Sequence, residues 1–258
     1  DSTRWFEVEN QTNKPWLWNK DTRQIALRLK GKLLANLGCR FRTQLEPLPK
    51  PRISLEGYAS GPVDLKAVAN RSRFDKKKGD GRGWIDAGMS LDGLDAGILE
   101  LRGVQFRIIE EDDDRQTSCI MLRAKSRFGD MPAIVEDIPV GRTADAIAFL
   151  HTSAYANAPA GTTVWEYEIR YEGFSRLIPG QDYDAFSEKV PVKAEVDVAD
   201  WYGNKPPIDP AWHHGIANLY MQVWRNPHPE KPIESIAIRS TQTSYVPIIL
   251  GISTATKR

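Results

Sequence analysis

The sequence contains few cysteines, no long apolar run and almost no net charge. Two cysteines, Cys39 and Cys119, do not make a disulfide framework, and the lack of a Cys-x-x-Cys pair argues against a cysteine zinc site. Both lie in apolar, strand-like segments, which favours buried free thiols over a single disulfide. The 35 basic and 34 acidic residues nearly cancel, so no overall field favours nucleic acid or an anionic membrane. No apolar run approaches the roughly 20 residues of a membrane-spanning helix.

Sequence motifs of several enzyme classes are missing as well. There is no Gly-x-Ser-x-Gly and no His-Glu-x-x-His, and the glycine-rich residues 79–83 lack the strand–helix context of a phosphate-binding loop. The acidic turn at residues 110–114 lacks the spaced carboxylates of a calcium loop, so we expect a charged hairpin tip there. His213 and His214 are adjacent and point apart on an extended chain. We therefore expect no metal and no cofactor.

Alternation of apolar and polar residues is what the sequence has in abundance. In residues 163–171, and again in residues 190–198, apolar side chains alternate with charged or polar ones, which predicts strands with one buried face. Residues 99–109 alternate too, but change phase at Gly103, which suggests a bulge or a sharp bend between two sheets. Strand patterns recur at short intervals and no segment predicts an amphipathic helix of three turns. The sequence therefore predicts an all-β fold, a β-sandwich or jelly roll.

The prolines between residues 47 and 62 indicate a linker or an extended arm. We place a domain boundary there, with an N-terminal β extension or small subdomain at residues 1–61 and the β-sandwich at residues 62–258. The first part is too small to stand alone, so we expect it to pack on the second.

Several blocks of the sequence follow one another in an order that resembles a known family. Residues 103–109 precede an acidic stretch and the segment 118–123; residues 138–152 come next, followed by 167–171. The chain closes on residues 219–252, where a loop with Pro227, Pro229 and Pro232 separates strand patterns. Together these blocks are similar to the β-sandwich accessory domains, resembling carbohydrate-binding modules, that are appended to bacterial glycoside hydrolases and polysaccharide lyases. The acidic turn at residues 110–114 departs from the family's pattern, so the resemblance implies no metal or turn role there.

The resemblance implies a non-catalytic domain that binds a polysaccharide or oligosaccharide, or supports a linked catalytic domain. It also implies a secreted, periplasmic or cell-surface location, with a leader or an upstream domain removed. We expect no nucleic acid partner and no membrane span.

Aromatic residues in loops are the candidates for sugar binding, because sugar C–H faces stack on Trp and Tyr rings while polar neighbours bond the hydroxyls. The candidate ligand-binding residues are Asp200, Trp201, Tyr202, Asn204, Trp212, His213 and Trp84. The alternative interpretation is that these side chains fold over one end of the sandwich as a hydrophobic plug. We expect Trp165 in the core and Trp224 beneath the proline-rich loop.

Two other functions remain open. A stand-alone glycosidase or polysaccharide lyase needs an acid–base pair across a cleft, and Glu166 and Glu168 on one strand face are the best pair that the sequence shows. A structural spacer would instead bury its aromatic residues and present one apolar patch to a catalytic domain.

Overall fold

The structure is a computed structural model that describes residues 5–8, 16–19, 24–27, 55–91, 93–111, 116–155, 162–181, 196–202 and 217–258. About 53% of this part is strand, arranged in antiparallel sheets, and it contains no helix. The all-β class and the sandwich architecture predicted from the sequence are therefore confirmed. Within the same residues no helix is long and apolar enough to cross a membrane.

The chain divides into two compact units, residues 1–51 and residues 52–258. In the first unit, β1 (Trp5–Val8), β2 (Trp16–Asn19) and β3 (Gln24–Leu27) form an antiparallel sheet in the order β1-β2-β3. The division falls earlier in the chain than the boundary predicted at residues 61 and 62.

The second unit begins with β4 (Tyr58–Pro62), which pairs with the last strand of the chain. Residues 58–61 therefore belong to the sandwich rather than to the N-terminal part. The strands that follow are β5 (Gly97–Leu101), β6 (Val104–Ile108), β7 (Ile120–Met121), β8 (Ile134–Arg142), β9 (Ala146–Ala154), β10 (Thr163–Tyr171), β11 (Phe174–Gln181), β12 (Val196–Tyr202), β13 (Ala217–Arg225), β14 (Ile233–Ser240) and β15 (Val246–Lys257).

Two sheets of the second unit form the sandwich. The outer sheet has the order β11-β10-β14-β8. The central sheet has the order β12-β13-β9-β15-β4, and β7 also pairs with β15. In the outer sheet, burial alternates along β10, as its apolar–charged alternation predicts for a strand with one face on the core.

The central sheet is buried on both faces, because every residue of β9 and the first ten residues of β15 are buried. One face packs against the outer sheet. The other packs against the β5–β6 hairpin, residues 84–91 and Leu94, which form a third layer. Continuous apolar segments such as residues 147–150 follow from this double burial, since neither face needs polar side chains.

The core between the two sheets is rich in aromatic rings. Trp165 is fully buried there, as expected, and a Cβ at Gly180 would lie 2.0 Å from its ring, so only glycine leaves room for it. Phe149 stacks on Tyr167 with ring centroids 3.9 Å apart. His151 lies beside them with its Nδ1 2.7 Å from the Tyr167 hydroxyl, and burial lowers the pKa of His151 to about 3. This histidine is therefore a neutral core residue.

The phase change at Gly103 is a tight hairpin turn, so the predicted bulge or bend between sheets is wrong. Strands β5 and β6 pair directly, with Leu101 opposite Val104. The two connecting residues, Arg102 and Gly103, have φ angles of 51° and 81°, which is the left-handed pattern of a type I′ turn. A Cβ at Gly103 would also lie 2.7 Å from the backbone nitrogen of Glu56.

Candidate functional site

Strand ends define the two ends of the sandwich. At one end β9 finishes at Ala154, which pairs with Val246 at the start of β15. Tyr155 follows β9, and we call this end the Tyr155 end. At the opposite end residues 226–232 connect β13 to β14, and we call it the proline end.

The predicted sugar-binding residues are only partly described by the structure. Asp200, Trp201 and Tyr202 lie on β12 and not in a loop, with Tyr202 paired to Ala217 at the Tyr155 end. Asn204, Trp212 and His213 lie outside the described residues. A sugar site at these six positions stays a prediction.

Trp84 is a core residue, so its predicted contact with a ligand is wrong. Its side chain has no exposed surface, and its indole nitrogen donates a hydrogen bond to the carbonyl of Met89 at 2.6 Å. A ring that is enclosed in this way cannot stack on a sugar from solvent. Trp84 instead fills the layer beneath the central sheet, together with Ile85 and Met89.

Three non-glycine residues with left-handed backbone meet at the Tyr155 end. Asp86, Phe128 and Tyr155 have φ angles of 52°, 52° and 60°. The Tyr155 hydroxyl donates a hydrogen bond to the carbonyl of Ile85 at 2.5 Å, which joins two of these segments. The rings of Phe128 and Tyr155 lie 5.8 Å apart at 50°. Left-handed backbone costs such residues about 1–2 kcal/mol each, and strain of this kind concentrates at functional sites.

Charged side chains flank the two rings. The Arg127 guanidinium lies 4.4 Å from the centroid of Tyr155, and Arg71 lies 5.9 Å from that of Phe128. Arg71 also pairs with the exposed Asp130 at 3.2 Å. Both rings are half-buried, while Arg127 and Asp130 are exposed. The site thus offers partly exposed aromatic surface beside a hydrogen-bond donor and an acceptor, the combination that a sugar requires.

A buried carboxylate fixes the long loop on which Asp86 lies. The two oxygens of Asp75 accept hydrogen bonds from the backbone of Ala87 at 2.9 Å and Gly88 at 3.0 Å. A Cβ at Gly83 would lie 2.1 Å from the Asp75 carboxyl carbon, so the loop closes tightly over this side chain. Burial raises the pKa of Asp75 to about 6, and the nearby Asp86 adds to the rise, whereas the backbone donors oppose it.

A second buried carboxylate holds the start of the same loop. One oxygen of Glu111 accepts hydrogen bonds from the backbone of Arg73 at 2.9 Å and from the Ser118 hydroxyl at 2.5 Å. The Arg73 guanidinium lies 3.4 Å from that oxygen and also donates to the carbonyl of Ile109 at 2.7 Å. Glu111 is therefore an internal anchor and not part of an exposed hairpin tip. Residues 112–115 of the acidic turn are not described.

Metal and thiol chemistry find no support in the described ranges. No group of three His, Cys, Asp or Glu residues there could hold a metal ion. Cys119 is a buried free thiol whose pKa is raised by burial and by the charge of Glu111, which disfavours the reactive thiolate. Cys39 lies outside the described residues.

Of the two carboxylates considered for catalysis, Glu166 and Glu168, it is Glu168 that lies in an ion-pair network on the open face of the outer sheet. Glu168 contacts Arg170 at 3.1 Å and Arg239 at 3.6 Å. Partial burial acts to raise the pKa of Glu168, but hydrogen bonds from Arg170 and Ser175 outweigh it, so the pKa is lowered. A general acid requires the opposite shift, because it must hold its proton near the working pH.

Tyr155 and Phe128 were missed by sequence reasoning because φ is not visible in residue type. Their sequence signal is weak: an aromatic residue directly after an apolar strand and another before a glycine. Comparison of the sequence with protein-family models and with curated proteins finds no match. The function is therefore inferred from the geometry of the chain itself.

Proposed function

We propose that this chain is a non-catalytic carbohydrate-binding module that binds a polysaccharide at the Tyr155 end. The observation that carries the proposal is the convergence of Asp86, Phe128 and Tyr155, all in left-handed backbone, around two half-exposed rings. Such rings present fixed faces to sugar C–H groups, so little side-chain entropy is lost on binding. The exposed Arg127 and Asp130 would select hydroxyl orientation.

The proposed site lies at the same end of the sandwich as Tyr202, one of the residues predicted from the sequence. Tyr202 and Ala217, which flank Asn204, Trp212 and His213 in the sequence, pair with each other at the Tyr155 end. We propose that these residues extend the same binding surface. The module would belong to, or assist, a polysaccharide-degrading enzyme that is secreted, periplasmic or at the cell surface.

A structural spacer is supported less well. It needs one large apolar surface, whereas the exposed large apolar residues within the described part are Ile98, Ile134 and Leu177. Ile134 and Leu177 lie on β8 and β11, the two opposite edges of the outer sheet, and Ile98 lies on β5. These three residues do not make one contiguous patch.

Affinity electrophoresis against a panel of plant and algal polysaccharides tests the proposal. We expect one polymer to retard the chain, and the change Phe128→Ala or Tyr155→Ala to weaken binding about tenfold, as for the loss of one aromatic contact of about 1.5 kcal/mol. Circular dichroism would show that each variant stays folded.

Tyr58→Ala is the matched control. Tyr58 is also half-buried beneath a guanidinium, that of Arg225 at 5.4 Å, but it lies at the proline end. Its removal should leave retardation unchanged. Retardation that survives both Phe128→Ala and Tyr155→Ala but is lost in Trp212→Ala would move the site to the loop predicted from the sequence. If no polymer retards the chain, binding is rejected in favour of the spacer.

A further inference from the structure

At the proline end, one buried asparagine fixes the loop at residues 226–232. The Asn226 amide nitrogen donates to the carbonyls of Ala144 at 2.8 Å and His228 at 3.1 Å. Its amide oxygen accepts hydrogen bonds from the Tyr171 hydroxyl at 2.6 Å and from the backbone of His228 at 2.9 Å. All the polar atoms of this side chain are therefore engaged in holding the loop.

The prolines make the rest of the loop stiff. The backbone nitrogen of Lys231 donates to the carbonyl of His228 at 3.0 Å, which closes a four-residue turn. Pro229 occupies the second position of this turn, where its fixed φ is favourable. The backbone turn therefore fixes where His228 and Lys231 lie relative to each other.

These two residues meet an aromatic ring on the β10–β11 hairpin. Tyr171 stacks on one face of Phe174, with centroids 4.7 Å apart and planes 9° apart. Lys231 lies 4.7 Å and Arg176 5.0 Å from the centroid of Phe174, and the His228 ring meets it edge-on at 5.1 Å. The ring of Phe174 is therefore in contact with Tyr171 and with both cations.

Within the described residues, the two cations of this cluster lack ion-pair partners. In the part of the chain that the structure describes, Arg176 and Lys231 form no ion pair with a carboxylate. By contrast, Arg170 on the neighbouring strand pairs with Glu136, Asp137 and Glu168. The Arg176 guanidinium instead donates to Nε2 of His228 at 3.1 Å, so the proton of the neutral imidazole belongs on Nδ1. Two cations that lie within about 5 Å of the centre of one ring repel each other, and an oxyanion that contacts both would relieve that repulsion.

We propose that Arg176, Lys231 and His228 form an oxyanion site that binds the carboxylate or sulfate groups of an acidic polysaccharide. The planar guanidinium supplies a two-pronged donor that fits either group, and the ammonium adds a point charge. The ring of Phe174 positions the two cations. The choice of polymer rests on the proposed function, but the site lies at the opposite end of the sandwich from the Tyr155 end and is tested separately.

Matched polymers test the site in affinity electrophoresis. We expect dextran sulfate to retard the chain more than dextran, or polygalacturonate more than its methyl ester, and the stronger pair identifies the group that binds. The double variant Arg176→Gln/Lys231→Gln should lower affinity for the charged polymer about tenfold. The control Lys66→Gln/Lys77→Gln removes the same charge from exposed residues elsewhere. It should change the affinity for the charged polymer less than twofold. Equal losses in both variants would overturn the proposal, because general attraction alone would then explain binding.

Inorganic sulfate tests the site without any polysaccharide. In ¹H–¹⁵N spectra at constant ionic strength, sulfate should shift the amide signals of His228, Lys231 and Arg176 saturably, and the double variant should abolish the shifts. Shifts that are linear in sulfate, or equal in the double variant, would overturn the site. Saturable shifts in a chain that no polysaccharide retards would support the oxyanion site while rejecting the module.

Discussion

The two ends of the sandwich each hold half-exposed aromatic rings beneath a guanidinium, but they fix those rings by different means. At the Tyr155 end, left-handed backbone and the buried carboxylates of Asp75 and Glu111 hold the loops. At the proline end, the Asn226 amide and three prolines hold Phe174 and its neighbours. The loops at the Tyr155 end are thus held partly by ionisable groups, whereas the loop at the proline end is held by neutral groups.

This difference determines how each end responds to pH. Because burial raises the pKa of Asp75, the folded chain favours the protonated carboxyl, so the Tyr155 end should lose stability as pH rises. At the proline end, burial raises the pKa of Tyr171 to about 12, although the charge of Arg176 opposes the rise. The Tyr171 hydroxyl therefore stays protonated, and able to donate its hydrogen bond to Asn226, at all ordinary pH values. Four predictions sharpen the comparison, in order of expected effect.

Removal of the asparagine amide should have the largest effect. Asn226→Ala leaves the buried Tyr171 hydroxyl and the Ala144 carbonyl without their partner, which should lower the free energy of unfolding by about 3 kcal/mol. Urea denaturation measures this loss in the free energy of unfolding. The matched control is Asn70→Ala, because the Asn70 side chain forms two hydrogen bonds with the backbone of Met121 and, among the described residues, none with another side chain. A loss for Asn226→Ala no greater than that for Asn70→Ala would contradict a special role for the proline-end loop.

Two buried groups should change the free energy of unfolding with pH in opposite directions. The wild-type protein should therefore show little net change from these two groups. The pKa of Asp75 is raised from 3.8 to about 6, so the folded state binds its proton more tightly and stability falls as pH rises through this range. The pKa of His151 is lowered from 6.5 to about 3, so stability is lost as pH falls through that range. Each slope is about 1.4 kcal/mol per pH unit at most, and between pH 4 and 6 they cancel.

Single variants separate the two slopes. Asp75→Asn should make stability rise with pH between 4 and 6, and His151→Gln should make it fall, each by about 2 kcal/mol over the range. The measured quantity is the difference in unfolding free energy between variant and wild type at each pH, so titrating groups elsewhere cancel. A difference that stays constant across the range would refute the assignment for that residue.

Loss of one tyrosine hydroxyl at each end should be smaller. Tyr171→Phe removes one of the two hydrogen bonds that the buried Asn226 amide oxygen accepts and should cost about 1.5 kcal/mol. Tyr155→Phe removes the half-buried hydrogen bond to the Ile85 carbonyl and should cost about 1 kcal/mol. Thermal unfolding of both variants measures the losses. A larger loss for Tyr155→Phe than for Tyr171→Phe would contradict the expected order.

The exposed guanidiniums should contribute least to stability. Arg127→Ala and Arg176→Ala each remove one cation–π contact at an exposed position, worth about 0.5 kcal/mol. Chemical denaturation with and without 0.5 M NaCl compares them with wild type. Losses well above 1 kcal/mol would mean that these arginines hold the fold and are not available for a ligand.

The sequence was sufficient to predict the class of fold and several strands, because alternation reports directly on a half-buried sheet. Residues 163–171 are the clearest case, since strand β10 has the predicted bounds and burial pattern. Trp84 shows the limit of this reasoning. It follows a basic, glycine-rich stretch that reads as surface, but the loop folds under the central sheet, where Ile85 and Met89 also become buried.

The two candidate sites were beyond sequence reasoning for another reason. The stiff loop at residues 226–232 was visible in its prolines, but its partner Phe174 lies on a hairpin some fifty residues earlier, at Tyr171 to Arg176. Which loops share an end depends on the order of strands within each sheet. That order is fixed by packing of both cores and not by any local pattern.

The position of strand β15 at the end of the chain also affects how the protein folds during its synthesis. It pairs with β9, β7 and β4, and the hydroxyl of Thr254 reaches the carbonyl of Gly61, 193 residues earlier. At a synthesis rate of roughly 5–20 residues per second, β4 waits about 10 to 40 seconds for this partner. Until then the apolar edge of β9 is also uncovered, so slow folding with exposure to aggregation is expected during translation. A chaperone that shields strand edges would raise the yield of this chain more than one that acts on completed sandwiches.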